Sequence, residues 1–499
     1  MVGRRRGRVR ATATAVRVAD EADARIRKAI VAGVAAKAGR EITLTVDQDR
    51  AIRDVRADLE ATSPMLRLLQ GDVGSGKTAV AAWALAAVAL AGRQGALLAP
   101  TDLLARQHHR TLIELLAPLG LPVELLTGSL KATDAARVRE LLASGMAPIV
   151  VGTHALFSDA STFADLGLVV IDEQHRFGVD QRSALEAKAA GRVPHVLLMT
   201  ATPIPRTLGQ VLYADLDVTD LRTPPEGRIP IRTGIRAPAD LDRTWTFVRD
   251  QAAAGHRTFV VVPRIGEVEE DADAAAGPEA AGDTGGDLAD ELAEEAVAAE
   301  AEFRRLTDVL APLRVGLVHG RLKAADRDAE MARFRDGDLD VLVGTTVVEV
   351  GVDVPEATVM VIEGADRFGL AQLHQLRGRV GRGRDDSFCV LVSASTDEVA
   401  RARLAAVQEL RDGFALAERD WELRREGNVL GLVQSGLPQL RVASLQLERH
   451  RELAIAAREA AEALLDDEGR LSPDHDRLAR ELRGGWLAAI TDAEPAGAA

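Results

Sequence analysis

Short, continuous apolar runs alternate with longer stretches of helical period over residues 42–395. The first block, ending near Ile235, predicts strands at 66–70, 95–99, 149–151, 168–171 and 196–199. The second, beginning near Arg236, predicts strands at 259–263, 315–318, 341–344, 359–362 and 388–392. Apolar strands that alternate with helices imply a parallel sheet covered on both faces. Two such blocks imply two similar α/β lobes with a cleft between them. Residues 1–40 are rich in Arg and Ala and predict one helix from about Asp20 to Lys37. Residues 396–499 are charged and helical, broken by a glycine-rich stretch at 427–438. The expected organisation is an N-terminal segment 1–40, a first lobe 41–235, a second lobe 236–395 and a helical segment 396–499.

Composition changes this picture in three places. A chain of 499 residues suits several domains, and its 47% hydrophobic and 28% charged residues describe an ordinary soluble globular protein. The net charge of −14 argues against nucleic acid until it is located. Between Arg264 and Arg304 lie 14 acidic residues and no Lys or Arg, so the rest of the chain carries 62 acidic against 62 basic groups. That stretch, 265–303, reads as a disordered insertion or a solvated helix, and the global charge says little about any local groove. Cys389 is the only cysteine, which excludes an internal disulfide and a zinc cluster and fits a reducing cytoplasm. The longest apolar run, 79–91, is too short to cross a bilayer, and the N-terminal arginines are followed by no apolar core of a secretory signal.

The chemistry concentrates in two elements. Gly71-Asp72-Val73-Gly74-Ser75-Gly76-Lys77-Thr78 lies between the strand 66–70 and a helix predicted over 78–90. Glycines let backbone N–H groups wrap phosphate oxygens, and the helix N-terminus adds positive potential. Lys77 would reach the β- and γ-phosphates of ATP, and the Thr78 hydroxyl would ligate Mg²⁺. Asp172-Glu173-Gln174-His175 closes the apolar run 166–171; Asp172 would complete the Mg²⁺ shell and Glu173 would polarise the attacking water. A glycine-rich turn or an acidic strand end alone says little, but the two in this order make an ATP site. Gln48, upstream, can offer a bidentate amide to an adenine edge.

Gln375-Leu376-Arg377-Gly378-Arg379-Val380-Gly381-Arg382 ends the second block. Arg379 and Arg382, three apart on an expected short helix, would project toward the cleft and stabilise charge on the γ-phosphoryl group. Thr346 and Asp353 precede them at a spacing that suits an inter-lobe sensor. Thr200 and Thr202 would couple His175 to the neighbouring lobe. Thr101, Arg106 with His108, Thr127, Gly128, Thr153, His154, Arg264, His319 and Arg321 lie on loops able to track a nucleic-acid backbone, as does Thr346. Each loop taken singly reads equally well as an ordinary surface turn. Aromatic residues make up 3% of the chain, too few for many base-stacking platforms.

Taken together, these residues resemble superfamily 2 helicases over roughly 42–395, and within them the RecG branch-migration helicases. The phosphate loop, Asp172-Glu173-Gln174-His175-Arg176-Phe177-Gly178-Val179, Met199-Thr200-Ala201-Thr202-Pro203-Ile204-Pro205-Arg206 and the run from Asp366 to Arg382 all look like that family. The transcription-repair coupling translocase shares most of them but typically has Glu where Gln174 stands. The segment 421–438 is similar to a translocation motif common to both families; its ending Gln434-Ser435-Gly436-Leu437-Pro438 favours RecG, while Asn428 leans the other way.

The resemblance implies two tandem RecA-like parallel-sheet lobes with a mainly helical C-terminal translocation segment, ATP and Mg²⁺ as cofactors, and branched or duplex DNA as partner. It implies that Asp353 touches the nucleotide and that Gln174, Gln375, Arg424 and Gln434 couple lobe closure to a step along DNA. RecG proteins also carry an N-terminal wedge domain that splits a fork. Residues 1–40 show no such multi-strand pattern, so the chain reads as a fragment, a misplaced start or a motor that borrows its wedge from another protein. The leading expectation is a monomeric, DNA-dependent ATPase that translocates on duplex DNA and remodels forks. An ATP-gated DNA-binding module that does not unwind is the rival. An RNA helicase of the same superfamily is the third reading, disfavoured by the segment 421–438.

Overall fold

The computed structural model describes residues 13–158, 160–173, 193–202, 216–225, 229–263, 285–349, 354–381, 383, 385–423 and scattered positions between 453 and 480. Among these, the first lobe is built on seven strands: β1 (Leu66–Gly71), β2 (Gln94–Leu98), β3 (Val123–Leu126), β4 (Ile149–Gly152), β5 (Leu166–Ile171), β6 (His195–Thr200) and β7 (Asp217–Leu221). Their order is β3-β4-β2-β5-β6-β1-β7, and every neighbouring pair is parallel. Strands β2 and β5 are buried at every residue, as a sheet covered on both faces requires.

Five helices accompany this sheet: α1 (Asp20–Ala38), α2 (Val46–Glu60), α3 (Lys77–Leu90), α4 (Asp102–Leu116) and α5 (Ala132–Ala143). Helix α3 is apolar all round and buried from Ala79 to Val88 because α1, α2 and the sheet enclose it. The buried indole of Trp83 donates to Asp23 Oδ1 of α1 at 2.7 Å, so its one polar atom is satisfied. Ile26 and Ile30 of α1 are fully buried in the same core. The segment expected to stand apart as 1–40 is therefore, from Ala13 to Ala38, a layer of the first lobe.

The second sheet holds six strands among the described residues: β8 (Arg232–Arg236), β9 (Arg257–Val261), β10 (Val315–Val318), β11 (Val341–Gly344), β12 (Ala357–Ile362) and β13 (Phe388–Val392), in the order β10-β11-β9-β12-β13-β8. All neighbours are again parallel. The lobe boundary expected at 236 falls before Arg232, because β8 pairs with β13 of this second sheet. Strands β3, β7 and β8 had no counterpart in the apolar pattern. They are edge strands, and the sequences Val-Glu-Leu-Leu, Asp-Val-Thr-Asp-Leu and Arg-Thr-Gly-Ile-Arg carry the polar residues that edges tolerate.

Helices α6 (Leu241–Ala253), α7 (Gly285–Val309), α8 (Ala324–Asp336), α9 (Leu370–Arg377), α10 (Glu398–Glu409) and α11 (Gly413–Leu423) complete the picture. Over 285–303 the chain forms helix α7, the helical one of the two readings, and not a disordered insertion. Ala296, Ala299 and Leu306 form a buried stripe at helical spacing, continued by Leu310, so this end of the helix is seated by an apolar face. The part at 265–284 lies outside the described residues. Leu404, Ala406 and Val407 of α10 and Leu416 of α11 belong to the core of the second lobe, which extends that lobe past the expected limit at 395.

Candidate active site at the phosphate loop

Strand β1 ends in Gly71, the chain turns, and α3 opens at Lys77 behind the N-cap Gly76. Gly74 and Gly76 hold φ of 78° and 86°, a region open to glycine at no steric cost. A Cβ on Gly76 would also lie 2.1 Å from the Gln48 amide nitrogen. That amide braces the loop: Nε2 donates to Ser75 O at 2.9 Å and Oε1 accepts from Thr45 N at 2.9 Å. One N–H and one lone pair of the amide remain for a ligand edge. Lys77 Nζ donates to the carbonyls of Gly71 and Asp72 at 2.7 and 3.0 Å, folding its charge onto the loop.

Strands β5, β6 and β1 are consecutive in the sheet, which sets Asp172, Thr200 and the phosphate loop along one carboxyl edge, where open α/β sheets bind ligands. Asp172 N donates to Leu98 O at 2.9 Å, fixing the residue at the end of β5. Its Oδ2 lies 2.7 Å from Nε2 of His108 on α4. Burial pushes the Asp172 carboxyl up, but the His108 hydrogen bond and the charges of His108 and Lys77 outweigh it and hold the group below the usual carboxylate range. Glu173 follows with φ of 53°, an uncommon backbone for a residue with a side chain and a mark of a constrained strand end.

The second lobe reaches this edge directly. His374 on α9, 5% exposed, places Nε2 2.6 Å from Asp72 Oδ1, and Asp72 also accepts from Val73 N at 2.7 Å. Its other nitrogen, Nδ1, is 2.9 Å from Arg377 Nη2. The buried Arg377 guanidinium donates to the carbonyls of Val407 and Leu410 at 2.6 and 2.8 Å, at the end of α10. Helix α9 stops at Arg377, with Gly378 as its C-cap, so the short helix expected under Arg379 and Arg382 ends before both. The close approach explains Gly378: a Cβ there would sit 2.9 Å from Val73 Cβ of the phosphate loop. Arg379 lies half-buried in the turn that follows.

Comparison with known proteins agrees with this geometry. A DEAD/DEAH box helicase model matches residues 45–211, and a helicase conserved C-terminal domain model matches 293–384. The ATP-dependent DNA helicase RecG of Synechocystis sp. is 45% identical over 434 residues, 87% of this chain and 49% of that protein. Its counterpart from Mycobacterium tuberculosis is 49% identical over 448 residues, 86% of this chain and 58% of that protein. A solved structure of RecG bound to a three-way DNA junction superposes with a TM-score of 0.71 and 34% identity, over 91% of this chain and 54% of that one. The chain belongs to the RecG helicase family. It spans roughly half the length of the RecG relatives it matches.

The other candidate residues fall into separate groups on this RecG-type frame. Thr101 is the N-cap of α4, its hydroxyl accepting from Leu104 N at 3.3 Å. Arg106 donates to Ser129 Oγ at 2.9 Å, Ser129 N to Asp102 Oδ2 at 3.2 Å, and Thr127 Oγ1 is 3.3 Å from Ser129 Oγ. Gly128 tops that turn with open space where a Cβ would be. Thr101, Arg106, Thr127 and Gly128 thus form one patch. Thr153 is buried and His154 exposed after β4; Thr200 Oγ1 lies 2.9 Å from Thr202 Oγ1 beyond β6.

In the second lobe His319 is buried beside Glu300, Arg321 is exposed, Thr346 is half-buried and Gln375 is buried on α9. Burial holds the His319 imidazole below its ordinary range. Gln174, His175, Arg264, Asp353, Arg382, Arg424 and Gln434 lie outside the described residues. The sequence reading placed His108 among DNA-tracking residues and did not single out His374. Arg106 and His108, expected on a loop, lie on helix α4 instead, and both histidines reach the site through long-range register that no local pattern reveals.

Proposed function

We propose that this chain is an ATP-driven motor on double-stranded and branched DNA, in which nucleotide turnover at Lys77, Thr78, Asp172 and Glu173 opens and closes the two lobes. The observation that carries the reading is the seating of the second lobe on the phosphate loop, His374 on Asp72 and Gly378 on Val73. A change in that loop is felt across the cleft without an intermediary. Lys77 would leave the loop carbonyls for the β- and γ-phosphates, Glu173 would orient the attacking water, and Arg379 with Arg382 would meet charge on the γ-phosphoryl group.

Magnesium fits the donors present. Thr78 in the first turn of α3 and the ionised Asp172 offer hard oxygen ligands. Among the described residues no group of three or more His, Cys, Asp or Glu could cage a metal by itself. That suits a cation held by one or two protein oxygens and substrate phosphates. When bound, Mg²⁺ neutralises phosphate charge and orients the β- and γ-oxygens.

The activity extends, in this reading, to remodelling stalled forks and recombination intermediates by a monomer in the cytoplasm. No helix among the described residues is long and apolar enough to cross a membrane. A second reading is an ATP-gated DNA-binding module that hydrolyses ATP without unwinding. ATPase rates on duplex, forked and four-way DNA, run beside strand displacement on the same fork, decide the matter. Branched-DNA stimulation with product supports the motor, stimulation without product supports the module, and no stimulation by any DNA sinks both.

A further inference from the structure

Helix α4 carries a polar residue where its periodicity calls for an apolar one. Ala105, Leu112, Leu115 and Leu116 are its buried residues, and His108 stands three after Ala105 and four before Leu112, on that same stripe. An imidazole on a core-facing stripe costs free energy unless a partner satisfies it. Here the partner is Asp172 Oδ2 at 2.7 Å. Arg106, two residues earlier and so on nearly the opposite face, is exposed and tied to Ser129 at 2.9 Å.

One rigid helix thus joins two places. Its N-terminal part, with Thr101, Asp102 and Arg106, is stitched to the turn after β3, where Thr127 is buried and Gly128 and Ser129 are exposed as an outward polar patch. Two residues beyond Arg106 and on the inward face of the helix, His108 grips the carboxylate at the nucleotide edge. Lys77 is likewise engaged by the Gly71 and Asp72 carbonyls, so in this arrangement both ions of the ATP site are committed to protein partners.

We propose that His108 is a positioning residue that restrains Asp172 until DNA engages the outer end of α4, so that the resting site takes Mg²⁺–nucleotide weakly and the DNA-bound site takes it well. The inference rests on the reading of Asp172 as the magnesium ligand. A nucleic-acid backbone lying on Thr101, Arg106, Gly128 and Ser129 would displace or rotate α4. The imidazole moves with the helix while Asp172 stays pinned to Leu98 through its backbone, so the bond between them is what yields. The coupling is mechanical, through one hydrogen bond, and requires no change in the protonation of either group.

The test titrates Mg²⁺ against binding of a fluorescent ADP analogue, with no turnover, in the full chain, with and without a forked duplex. In the wild-type chain DNA should lower the Mg²⁺ midpoint by roughly tenfold, the scale of one hydrogen bond to a charged group. His108→Ala should show the lowered midpoint without DNA, no further shift on adding it, and a raised DNA-free ATPase rate. His108→Gln, which retains an N–H donor, should restore most of the DNA-dependent shift and serves as the control for folding. An unaltered DNA-dependent shift in His108→Ala overturns the proposal. So does a Mg²⁺ midpoint weakened with and without DNA, since the imidazole would then be assisting the ligand. Loss of every Mg²⁺ dependence in the wild type would instead reject Asp172 as the ligand, a failure of the underlying reading.

Discussion

His374 Nε2 lies 2.6 Å from Asp72 Oδ1, and that contact joins a helix of the second sheet to the loop that closes β1 of the first. Asp72 sits between Gly71, whose carbonyl holds Lys77, and Val73, whose N–H it accepts. Replacing His374 by Ala should slow ATP turnover by roughly ten- to a hundredfold, the scale of a hydrogen bond to a charged group. Gln, which can still donate, should recover part of the loss. Steady-state ATPase on saturating DNA measures this, and an unchanged kcat would remove the contact from the coupling path.

Gly378 tests the same junction by sterics alone. Its φ of −68° is open to any residue, so Gly378→Ala carries no backbone strain, yet the new Cβ meets Val73 Cβ at 2.9 Å. Crowding of this kind typically costs about 1–3 kcal/mol. Here the second lobe can withdraw instead, so DNA-stimulated turnover should fall while thermal stability stays nearly constant. Val73→Gly in the same chain, which removes that Cβ, should restore turnover. If the double variant is as slow as the single, the two residues are not the point of contact that matters.

At the phosphate loop, Lys77→Ala should abolish ATP turnover, and Glu173→Gln should leave ATP binding intact while hydrolysis stops. Equilibrium binding of labelled ATP alongside phosphate release separates the two phenotypes. Wild-type-like turnover in either variant would falsify the site assignment.

Removing the N-terminal layer should destabilise the first lobe itself. Ile30 of α1 is fully buried, and truncating a buried Ile to Ala costs about 2–5 kcal/mol. Ile30→Ala should therefore lower the unfolding midpoint in denaturant markedly. An exposed position on the same helix, Lys28, should tolerate Ala with little change.

Glu363 at the end of β12 gives the fold a pH dependence. Burial and the charge of nearby Glu302 raise its carboxyl from 4.5 to about 7, against the opposing Arg305 guanidinium 3.2 Å away. A folded-state value above the unfolded one means that the folded chain binds more protons between those two limits. Stability should therefore be fullest below about pH 4.5 as far as this group is concerned and decline as pH rises through 7. Glu363→Gln should flatten that part of the profile of thermal midpoint against pH. A wild-type slope surviving in the variant would place its origin elsewhere.

What was legible in the sequence followed from strength of local signal. Central strands such as Leu166–Ile171 are apolar at every position, and the phosphate loop announces itself by glycine spacing, so the lobes and the ATP edge could be read directly. Edge strand Arg232–Arg236 has two arginines and a glycine in five residues, and nothing local distinguishes it from a loop. The acidic composition around α7 masked the four apolar positions that seat it. His108 and His374 acquire meaning only through partners 64 and 302 residues away, a distance over which periodicity carries no information.

The placement of β7 and β8 sets a mechanical limit. Both are outermost strands, and the chain passes from one to the other through residues 222–231 alone. Asp47 Oδ2 grips the backbone N–H groups of Arg222 and Thr223 at 3.0 and 2.7 Å, and Arg232 N is held by Ser387 O at 2.8 Å. The eight residues left between those anchors, 224–231, can span about 30 Å when drawn straight. The two sheets are yoked along one flank by a short strap, so any separation of them there is bounded by chain length.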